Sequence, residues 1–334
     1  MERTFSIGVD LGGTNLRVAA YSSEGEFLQT ITLATRLADG RDCVANDLCE
    51  SVSALRAEHA RTRRLVGIGV GSPGPLELPS GILRNPPNLL GWDGFNLREA
   101  IESSLDEDIL LENDANLAAL AEQVCGAGRT AGTASLCMLT LGTGVGSGLI
   151  LDGEIWHGIS GMGGEAGHIV VDPDGPPCGC GGRGCLEQYA SASAMIRMMS
   201  EASKSVSNAR EVAELANAGD EAAKAVFVQV GRALAVALTG AINTLNLPLY
   251  VIGGGGSGAW DAFAPTMFQE LLSRSYIYRL TAASTAENAA FNANKTQICR
   301  AQLGSDAGLL GACLLGLRGT PSTKVIELER RVAS

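Results

Sequence analysis

The chain opens with three short apolar runs, at residues 5–10, 15–21 and 27–33, which are separated by glycine-rich or polar turns. Their length and spacing predict the strands of a β-meander. Further along, apolar residues recur every three to four positions and predict helices, with short buried strands between them. The predicted helices are 43–59, 97–104, 115–124, 191–203, 211–218, 221–245 and 307–317, and the predicted strands are 65–70, 109–112 and 249–252.

The opening pattern recurs in the middle of the chain. The segment DLGGT at 10–14 ends the first predicted strand, and TLGTG at 140–144 holds the same place 130 positions further on. The next turns, at 24–26 and 152–154, also agree, at an offset of 128 positions. Two turns and two strands at nearly the same offset predict a duplicated meander that heads each of two domains.

The later alternation of strands and helices predicts an α/β fold. We expect a small α/β domain formed by residues 1–115 and 305–334. The larger α/β domain is expected to span residues 116–304. The polar end of the chain, 320–334, is expected to be loosely attached.

Composition narrows the class of protein. The formal net charge is −11 and no basic block is present, which disfavours binding of nucleic acid through its phosphates. No apolar signal segment begins the chain, and the longest apolar stretch, 134–151, contains four glycines and fits two strands around a turn. A cytoplasmic protein without a membrane partner is therefore expected. Glycine is abundant, at 43 residues.

Two glycine turns are candidates for phosphate binding. A tight turn with little side chain lets backbone N–H groups approach phosphate oxygens, and a threonine adds a hydroxyl donor. Either turn alone also fits an ordinary hairpin, and neither matches the P-loop or the dinucleotide-binding pattern. Asp10 ends a strand beside the first turn, where a carboxylate could orient hydrated Mg²⁺. The turn residues are Gly12, Gly13 and Thr14, and Gly142, Thr143 and Gly144.

A strand is expected to end and a helix to begin within ENDAN, at 112–116. Asn113 suits the N-cap position and Asp114 the first helical turn. The two residues can be interpreted as stabilising the N-terminus of the helix and nothing more. They can also be read as a catalytic corner, since a carboxylate at a helix N-terminus stays ionised and could take a proton from a sugar hydroxyl.

The most specific pattern combines His168 with Cys178, Cys180 and Cys185. One histidine and three cysteines match a structural tetrahedral zinc site, and the glycines between them allow sharp bends. The odd total of nine cysteines disfavours disulfides, and the CxC and Cx4C spacings differ from a redox CxxC.

Zinc at this place would fold the loop that carries Glu165 and Glu187. Asn88 lies in a proline-rich loop, NPPNLLGW at 85–92. Its residues suit a plain turn, and Asn88 also offers a polar side chain to a sugar hydroxyl.

Taken together, these residues resemble the ROK family of sugar kinases and repressors, most closely its glucokinase branch. The match runs from residue 10 to residue 312, and its most specific part is ExGH at 165–168 followed by CxCGxxGCxE at 178–187. The resemblance implies an actin-like ATPase (hexokinase) fold, with two domains and a ligand cleft between them. It also implies ATP with Mg²⁺ and a hexose as ligands.

The resemblance also implies roles for single residues. Asp114 would be the catalytic base toward the sugar 6-hydroxyl, and His168 would use one ring nitrogen for zinc and the other for the sugar. The implied hexose-binding residues are Asn88, Asn113, Asp114, Glu165, His168 and Glu187. The implied nucleotide-binding residues are Asp10, Gly12, Gly13, Thr14, Gly142, Thr143, Gly144, Gly254 and Gly255.

The expected activity is phosphorylation of glucose by ATP. Residues 162–165 lack the His-Pro of ROK fructokinases, which favours glucose over fructose, while N-acetylmannosamine, allose and mannose stay open, as does polyphosphate as a donor. A sugar-sensing repressor is the alternative of another class, disfavoured because the first phosphate loop begins at Asp10 and leaves no room ahead of it for a helix-turn-helix. A homodimer or homotetramer is expected from the resemblance.

Overall fold

The computed structural model describes residues 3–283, 292 and 294–319. The chain divides into two compact units. Unit 1 contains the described residues of Met1–Ala121, His157–Gly163 and Asp306–Ser334, and unit 2 contains those of Glu122–Trp156 and Gly164–Ser305. The segment His157–Gly163, which the predicted boundaries assign to the larger domain, therefore packs in unit 1. The predicted loose tail, 320–334, lies outside the described residues.

The described residues contain twelve strands and eleven α-helices. The strands are β1 Thr4–Leu11, β2 Asn15–Ser22, β3 Phe27–Ala34, β4 Arg64–Ser72, β5 Leu76–Glu77, β6 Ile82–Leu83, β7 Leu110–Asn113, β8 Leu136–Leu141, β9 Val145–Leu151, β10 Glu154–Ile155, β11 Leu249–Gly253 and β12 Gln297–Arg300. The helices are α1 Arg41–His59, α2 Leu97–Leu105, α3 Asp114–Cys125, α4 Ala127–Ala131, α5 Glu187–Ala190, α6 Ala192–Glu201, α7 Ala209–Asn217, α8 Glu221–Leu245, α9 Trp260–Arg274, α10 Tyr276–Thr281 and α11 Ala307–Leu317.

The two large sheets have the same topology. In unit 1 the strand order is β3-β2-β1-β4-β7, and in unit 2 it is β10-β9-β8-β11-β12. In each sheet the first three strands along the chain form an antiparallel meander, and the two later strands add in parallel. The predicted duplication of the meander is confirmed.

Glycines in the strands of unit 1 make room for α11. A Cβ at Gly8 would lie 2.5 Å from the backbone nitrogen of Cys313, and a Cβ at Gly67 would lie 2.6 Å from the carbonyl of Gly316. A Cβ at Gly69 would overlap the carbonyl oxygen of Ala312. The helix therefore lies directly on the backbone of β1 and β4, and part of the glycine excess serves this close packing rather than turns.

Helix α8 forms the centre of unit 2. It packs along α9, and its buried face includes Phe227, Val230 and Leu234. Within the described residues it is the one helix that is long and apolar enough to cross a membrane, and 56% of its most apolar window is buried in the unit. Such burial is typical of a core helix.

Candidate active site

The first glycine turn joins β1 to β2 in unit 1. The N–H of Gly12 donates to the carbonyl of Asn15 at 2.9 Å, which closes the turn, and Thr14 is exposed at its tip. A Cβ at Gly13 would lie 3.2 Å from the carbonyl oxygen of Asn88. The turn thus lies beside the exposed Asn88, so the structure brings together two features that are far apart in the sequence.

Asp10 lies at the end of β1 and carries an ion pair that the sequence reasoning missed. Arg17 Nη2 is 2.8 Å from Asp10 Oδ2, and Arg17 Nη1 is 3.0 Å from Asp306 Oδ1. The antiparallel register places Arg17 directly opposite Asp10, because both are equally far from the turn. The sequence already predicts this hairpin, and counting residues outward from its turn identifies the pair. Gly308, in the first turn of α11, also approaches the Asp10 carboxylate, where a helix N-terminus favours negative charge.

The ENDAN segment forms the corner between β7 and α3. Asn113 Oδ1 accepts the N–H of Ala115 at 2.9 Å and that of Asn116 at 3.3 Å, so its predicted role as N-cap is confirmed. Asp114 is the first residue of α3, and its Oδ1 accepts the N–H of Ala115 at 2.7 Å. Both side chains are half-buried. The corner therefore holds a carboxylate at a positive helix end with part of its surface open.

The buried side chain of Glu112 holds this corner through hydrogen bonds to Asn113 and Asn116. Its side chain is only 3% exposed. Oε1 accepts the N–H of Asn113 and the side-chain amide of Asn116, each at 2.8 Å, and Oε2 lies 2.5 Å from His157 Nε2. These bonds tie the backbone of the corner to the segment that begins at His157. The isolated ENDAN motif carries no signal for the histidine partner.

The second glycine turn lies between β8 and β9 in unit 2. Glu187 Oε2 accepts the N–H of Val145 at 3.0 Å, and a Cβ at Gly144 would overlap this carboxylate. The start of α6 holds the other side, where the N–H of Ala192 donates to the carbonyl of Gly142 at 2.8 Å. A predicted sugar residue and a predicted phosphate turn are thus in direct contact.

Glu165 precedes and His168 ends a short 3-10 helix, Ala166–His168, that packs against β9. Gly167 touches the carbonyl of Val145 so closely that a Cβ would overlap it. The hydroxyl of Ser147 donates to the carbonyl of Gly164 and accepts the N–H of Ala166 at 2.9 Å. Ser147 therefore contacts the backbone on both sides of Glu165.

Burial is the main cause of the pKa shift of the Glu165 carboxyl. It raises the pKa of the carboxyl above its ordinary value, the nearby His168 opposes this shift, and the Glu187 carboxylate adds to it. Glu165, His168 and Glu187 are therefore close enough to interact electrostatically. The structure brings these three predicted sugar residues of unit 2 together.

The four predicted metal ligands converge on one point. The ligand atoms of His168, Cys178, Cys180 and Cys185 all lie within 4.8 Å of one another. Cys180 Sγ is 3.7 Å from Cys185 Sγ, and Cys178 Sγ is 3.7 Å from His168 Nδ1. Zn–S bonds of about 2.3 Å in a tetrahedron place two sulfurs roughly 3.8 Å apart. The residues present therefore fit a zinc ion, with Nδ1 of His168 toward it.

A cavity of about 1070 Å³ opens at the second glycine turn and the end of β11. Gly142 and Thr143 line it together with Gly254 and Gly255, so four of the predicted nucleotide residues share one space. Gly254 has φ +75° and presses against the backbone of Leu141, which restricts this position to glycine. Residues of α7, of the end of β12 and of the segment that follows it complete the wall, among them Glu214, Asn217, Arg300 and Gln302.

Comparison with known families decides the relationship. The model of the ROK family matches residues 6–318 of the chain. The chain belongs to the ROK family. The match includes both glycine turns, the ENDAN corner and the cluster of His168 with three cysteines. The resemblance to this family that the sequence shows is therefore confirmed.

ROK proteins with similar sequences and folds include enzymes that act on sugars. A glucokinase of Halalkalibacterium halodurans is 34% identical, and the alignment covers 93% of this chain and 94% of the relative. The ROK hexokinase structure from Thermus thermophilus has a TM-score of 0.75 at 32% identity and covers 94% of this chain and 97% of its own. A ROK glucokinase of Streptomyces griseus, solved in complex with glucose and AMPPNP, has a TM-score of 0.73 at 28% identity, with 94% and 100% coverage. The predicted actin-like ATPase fold is confirmed.

Other ROK relatives carry different names. An N-acetylmannosamine kinase of Escherichia coli is 30% identical over 93% of this chain and 97% of the relative. A xylose repressor of Bacillus subtilis is also 30% identical, over 67% of this chain and 59% of the relative. Family membership alone therefore leaves more than one activity to consider.

Proposed function

We propose that this protein is an ATP-dependent hexose kinase that phosphorylates glucose at its 6-hydroxyl. The observation that carries the proposal is the corner at Asn113 and Asp114, where a half-buried carboxylate begins a helix. A positioned carboxylate of this kind suits phosphoryl transfer, in which the protein mainly orients the nucleophile and stabilises charge. The similarity to glucokinases along nearly the whole chain supports the same activity.

Asp114 is the proposed general base. It lies at the positive N-terminus of α3, where a carboxylate is well placed to accept the proton of the attacking hydroxyl. Glu112 and Asn113 hold the backbone on either side of it in place. The base can then act without rearrangement of the corner.

The two glycine turns are the proposed phosphate-binding elements. Gly12, Gly13 and Thr14 would supply backbone and hydroxyl donors in unit 1, and Gly142, Thr143 and Gly144 would do so in unit 2. Asp10, held by Arg17, is the proposed partner of the hydrated Mg²⁺ that accompanies ATP. The cavity bounded by Gly254 and Gly255 has ample volume for a nucleoside.

Sugar binding is assigned to Asn88, Asn113 and Asp114 in unit 1 and to Glu165, His168 and Glu187 in unit 2. A zinc ion bound by His168, Cys178, Cys180 and Cys185 would cross-link the loop that carries the second group. Since Nδ1 of His168 faces the cysteines, its Nε2 is the ring nitrogen assigned to the sugar. All four ligand positions are protein side chains, so the metal would be structural.

Glucose is the proposed substrate among several hexoses. N-acetylmannosamine, fructose, allose and mannose are the alternatives, and polyphosphate is the alternative donor. Hydroxyl orientation is read by hydrogen bonds, and a site built to bond one hydroxyl rejects analogues that leave its polar groups unpaired. We further propose that the protein is cytoplasmic and forms a homodimer or homotetramer.

A coupled assay of the purified protein with ATP and Mg²⁺ across these sugars tests the proposal. The expected result is the highest kcat/KM with glucose. A higher kcat/KM with N-acetylmannosamine or fructose would overturn the assignment to glucose. Absence of phosphoryl transfer to any hexose would overturn the kinase assignment itself.

A further inference from the structure

Glu122 is a fully buried carboxylate that the proposed chemistry does not use. It lies near the end of α3, and its exposed fraction is 0%. Oε1 accepts the backbone N–H of Gln302 at 2.8 Å and that of Leu303 at 2.7 Å, while Oε2 accepts the N–H of Ala127 at 2.8 Å. Within the described part of the chain no cationic side chain pairs with Glu122. Its charge is held by backbone N–H groups, which form strong charge-assisted hydrogen bonds.

The surrounding chain is built around this carboxylate. Helix α4 has no side-chain cap of its own at Gly126, and Glu122 takes that role by accepting the N–H of Ala127. A Cβ at Gly126 would overlap the Glu122 carboxylate and would lie 3.1 Å from Leu303. Position 126 therefore has to be glycine for the carboxylate to reach both Ala127 and Leu303.

The segment that Glu122 holds is a wall of the nucleotide cavity. Arg300, Ala301, Gln302, Gly304 and Ser305 all line this space. The side chain of Gln302 has a second anchor, because its Oε1 accepts the hydroxyl of Thr130 on α4 at 2.9 Å. Glu122 does not line the cavity, so any effect on the nucleotide passes through the backbone of this segment.

The Glu122 carboxylate also acts electrostatically on β12, the strand that precedes residues 301–305 of the cavity wall. Burial, followed by the charge of Glu122, raises the pKa of the Cys299 thiol to about 11. Cys299 belongs to β12, which runs directly into the segment that begins at Ala301. The Glu122 carboxylate and the end of β12 are therefore close neighbours.

We propose that Glu122 is a positioning residue for the nucleotide: it fixes the backbone of Gln302 and Leu303 so that residues 300–305 form one wall of the cavity. Helix α3 also carries Asp114 at its first residue, so one helix holds both the proposed base and the anchor of the nucleotide wall. The inference rests on the proposed use of this cavity for ATP.

Two substitutions at Glu122 test the inference. Glu122→Met keeps a similar volume and removes every acceptor, whereas Glu122→Gln keeps one acceptor oxygen and loses the charge. We expect Glu122→Met to raise the KM for ATP roughly tenfold and Glu122→Gln to raise it less, in line with the loss of charge-assisted hydrogen bonds. The Kd for glucose without nucleotide, and kcat at saturating ATP, should stay within about twofold, because the lost interaction serves binding of the nucleotide.

The matched control is Glu102→Gln. Glu102 also accepts a backbone N–H, from Ile109 at 3.1 Å, but it lies in unit 1 and does not line the nucleotide cavity. This variant should leave the KM for ATP unchanged. If Glu122→Met does not fold, Glu122→Gln decides the question.

A folded Glu122 variant with an unchanged KM for ATP would overturn the inference. Equal losses in ATP affinity, glucose affinity and kcat would also overturn it, since they indicate general damage to the fold. Calorimetric titration with AMPPNP separates this result from failure of the proposed function. A wild-type protein that binds AMPPNP but phosphorylates no hexose refutes the kinase, and the AMPPNP affinity of the variants still tests Glu122.

Discussion

Asp114 owes its chemical setting to the residues on either side of it. Asn113 caps α3 with two hydrogen bonds, and the buried Glu112 holds the N–H of Asn113 from below. The side chain of Asp114 thus begins a helix whose preceding backbone is already fixed. The proposed base therefore does not have to be reorganised during the reaction.

Replacement of Asp114 by alanine should abolish most turnover. Loss of a general base costs roughly 10²- to 10⁴-fold in kcat, while Asn113 and the other residues proposed to bind the sugar remain. Steady-state kinetics and calorimetry with glucose measure the two effects separately. Asp261→Ala is the control, since Asp261 also lies in the first turn of a helix, α9, and is exposed. Full activity of the Asp114→Ala protein would remove this residue as the base.

The cysteine cluster makes a prediction about metal content. Elemental analysis of the purified protein should find about one zinc per chain, as expected for a tetrahedral site with four protein ligands. Cys180→Ser should lower the zinc content and raise the KM for glucose, because the loop that ends at Glu187 loses a ligand. Cys43→Ser, which alters a cysteine of α1, should change neither value. A folded Cys180→Ser protein with normal glucose affinity would contradict the proposed role of zinc in shaping the sugar loop.

Whole elements were predicted well where the pattern is strong. The bounds of α8 and α11 agree with the prediction, and the strands of the first meander differ from it by one residue at each end at most. Helix α9 was not predicted, since Pro265 lies inside it and Ala259 offers no capping side chain. Short elements such as β5 and β6 contain two residues each, which is too few for a periodicity.

Contact between α11 and the sheet of unit 1 predicts opposite effects for two glycine-to-alanine substitutions. Gly69→Ala should lower stability by about 1–3 kcal/mol, because the new methyl group meets the backbone of Ala312 and forces the helix away. Gly240 lies within α8, where an added Cβ meets no atom within 4 Å. Gly240→Ala should therefore leave the free energy of unfolding unchanged or raise it by up to about 1 kcal/mol. Urea denaturation measures both. A Gly69→Ala protein as stable as wild type would refute the tight packing of α11 on β4.

At the scale of the whole molecule, the net charge of −11 bears on the choice between a kinase and a repressor. A protein that binds duplex DNA gains much of its affinity by neutralising phosphates, and this chain has an excess of acidic residues. Fluorescence anisotropy with labelled duplexes should therefore detect no binding, even at low salt. Sugar-dependent binding to DNA would instead favour the repressor.

Oligomeric state is also a property of the whole molecule. Sedimentation velocity should find the homodimer or homotetramer predicted from the family resemblance. A monomer across the micromolar range would contradict that prediction.

Sequence alone determined the elements with a strong periodicity, the cluster of one histidine and three cysteines, the capped corner at Asn113 and the family. These features depend on short spacings, in which the helical period, a cap or a ligand pattern specifies the local structure. Tertiary structure decided which distant groups meet: Glu187 with the turn at Gly144 and Val145, and Glu122 with Gln302 and Leu303. It also decided that strand glycines lie under α11. Such contacts join residues tens to hundreds of positions apart, and local spacing carries no information about which buried N–H groups a distant carboxylate will satisfy.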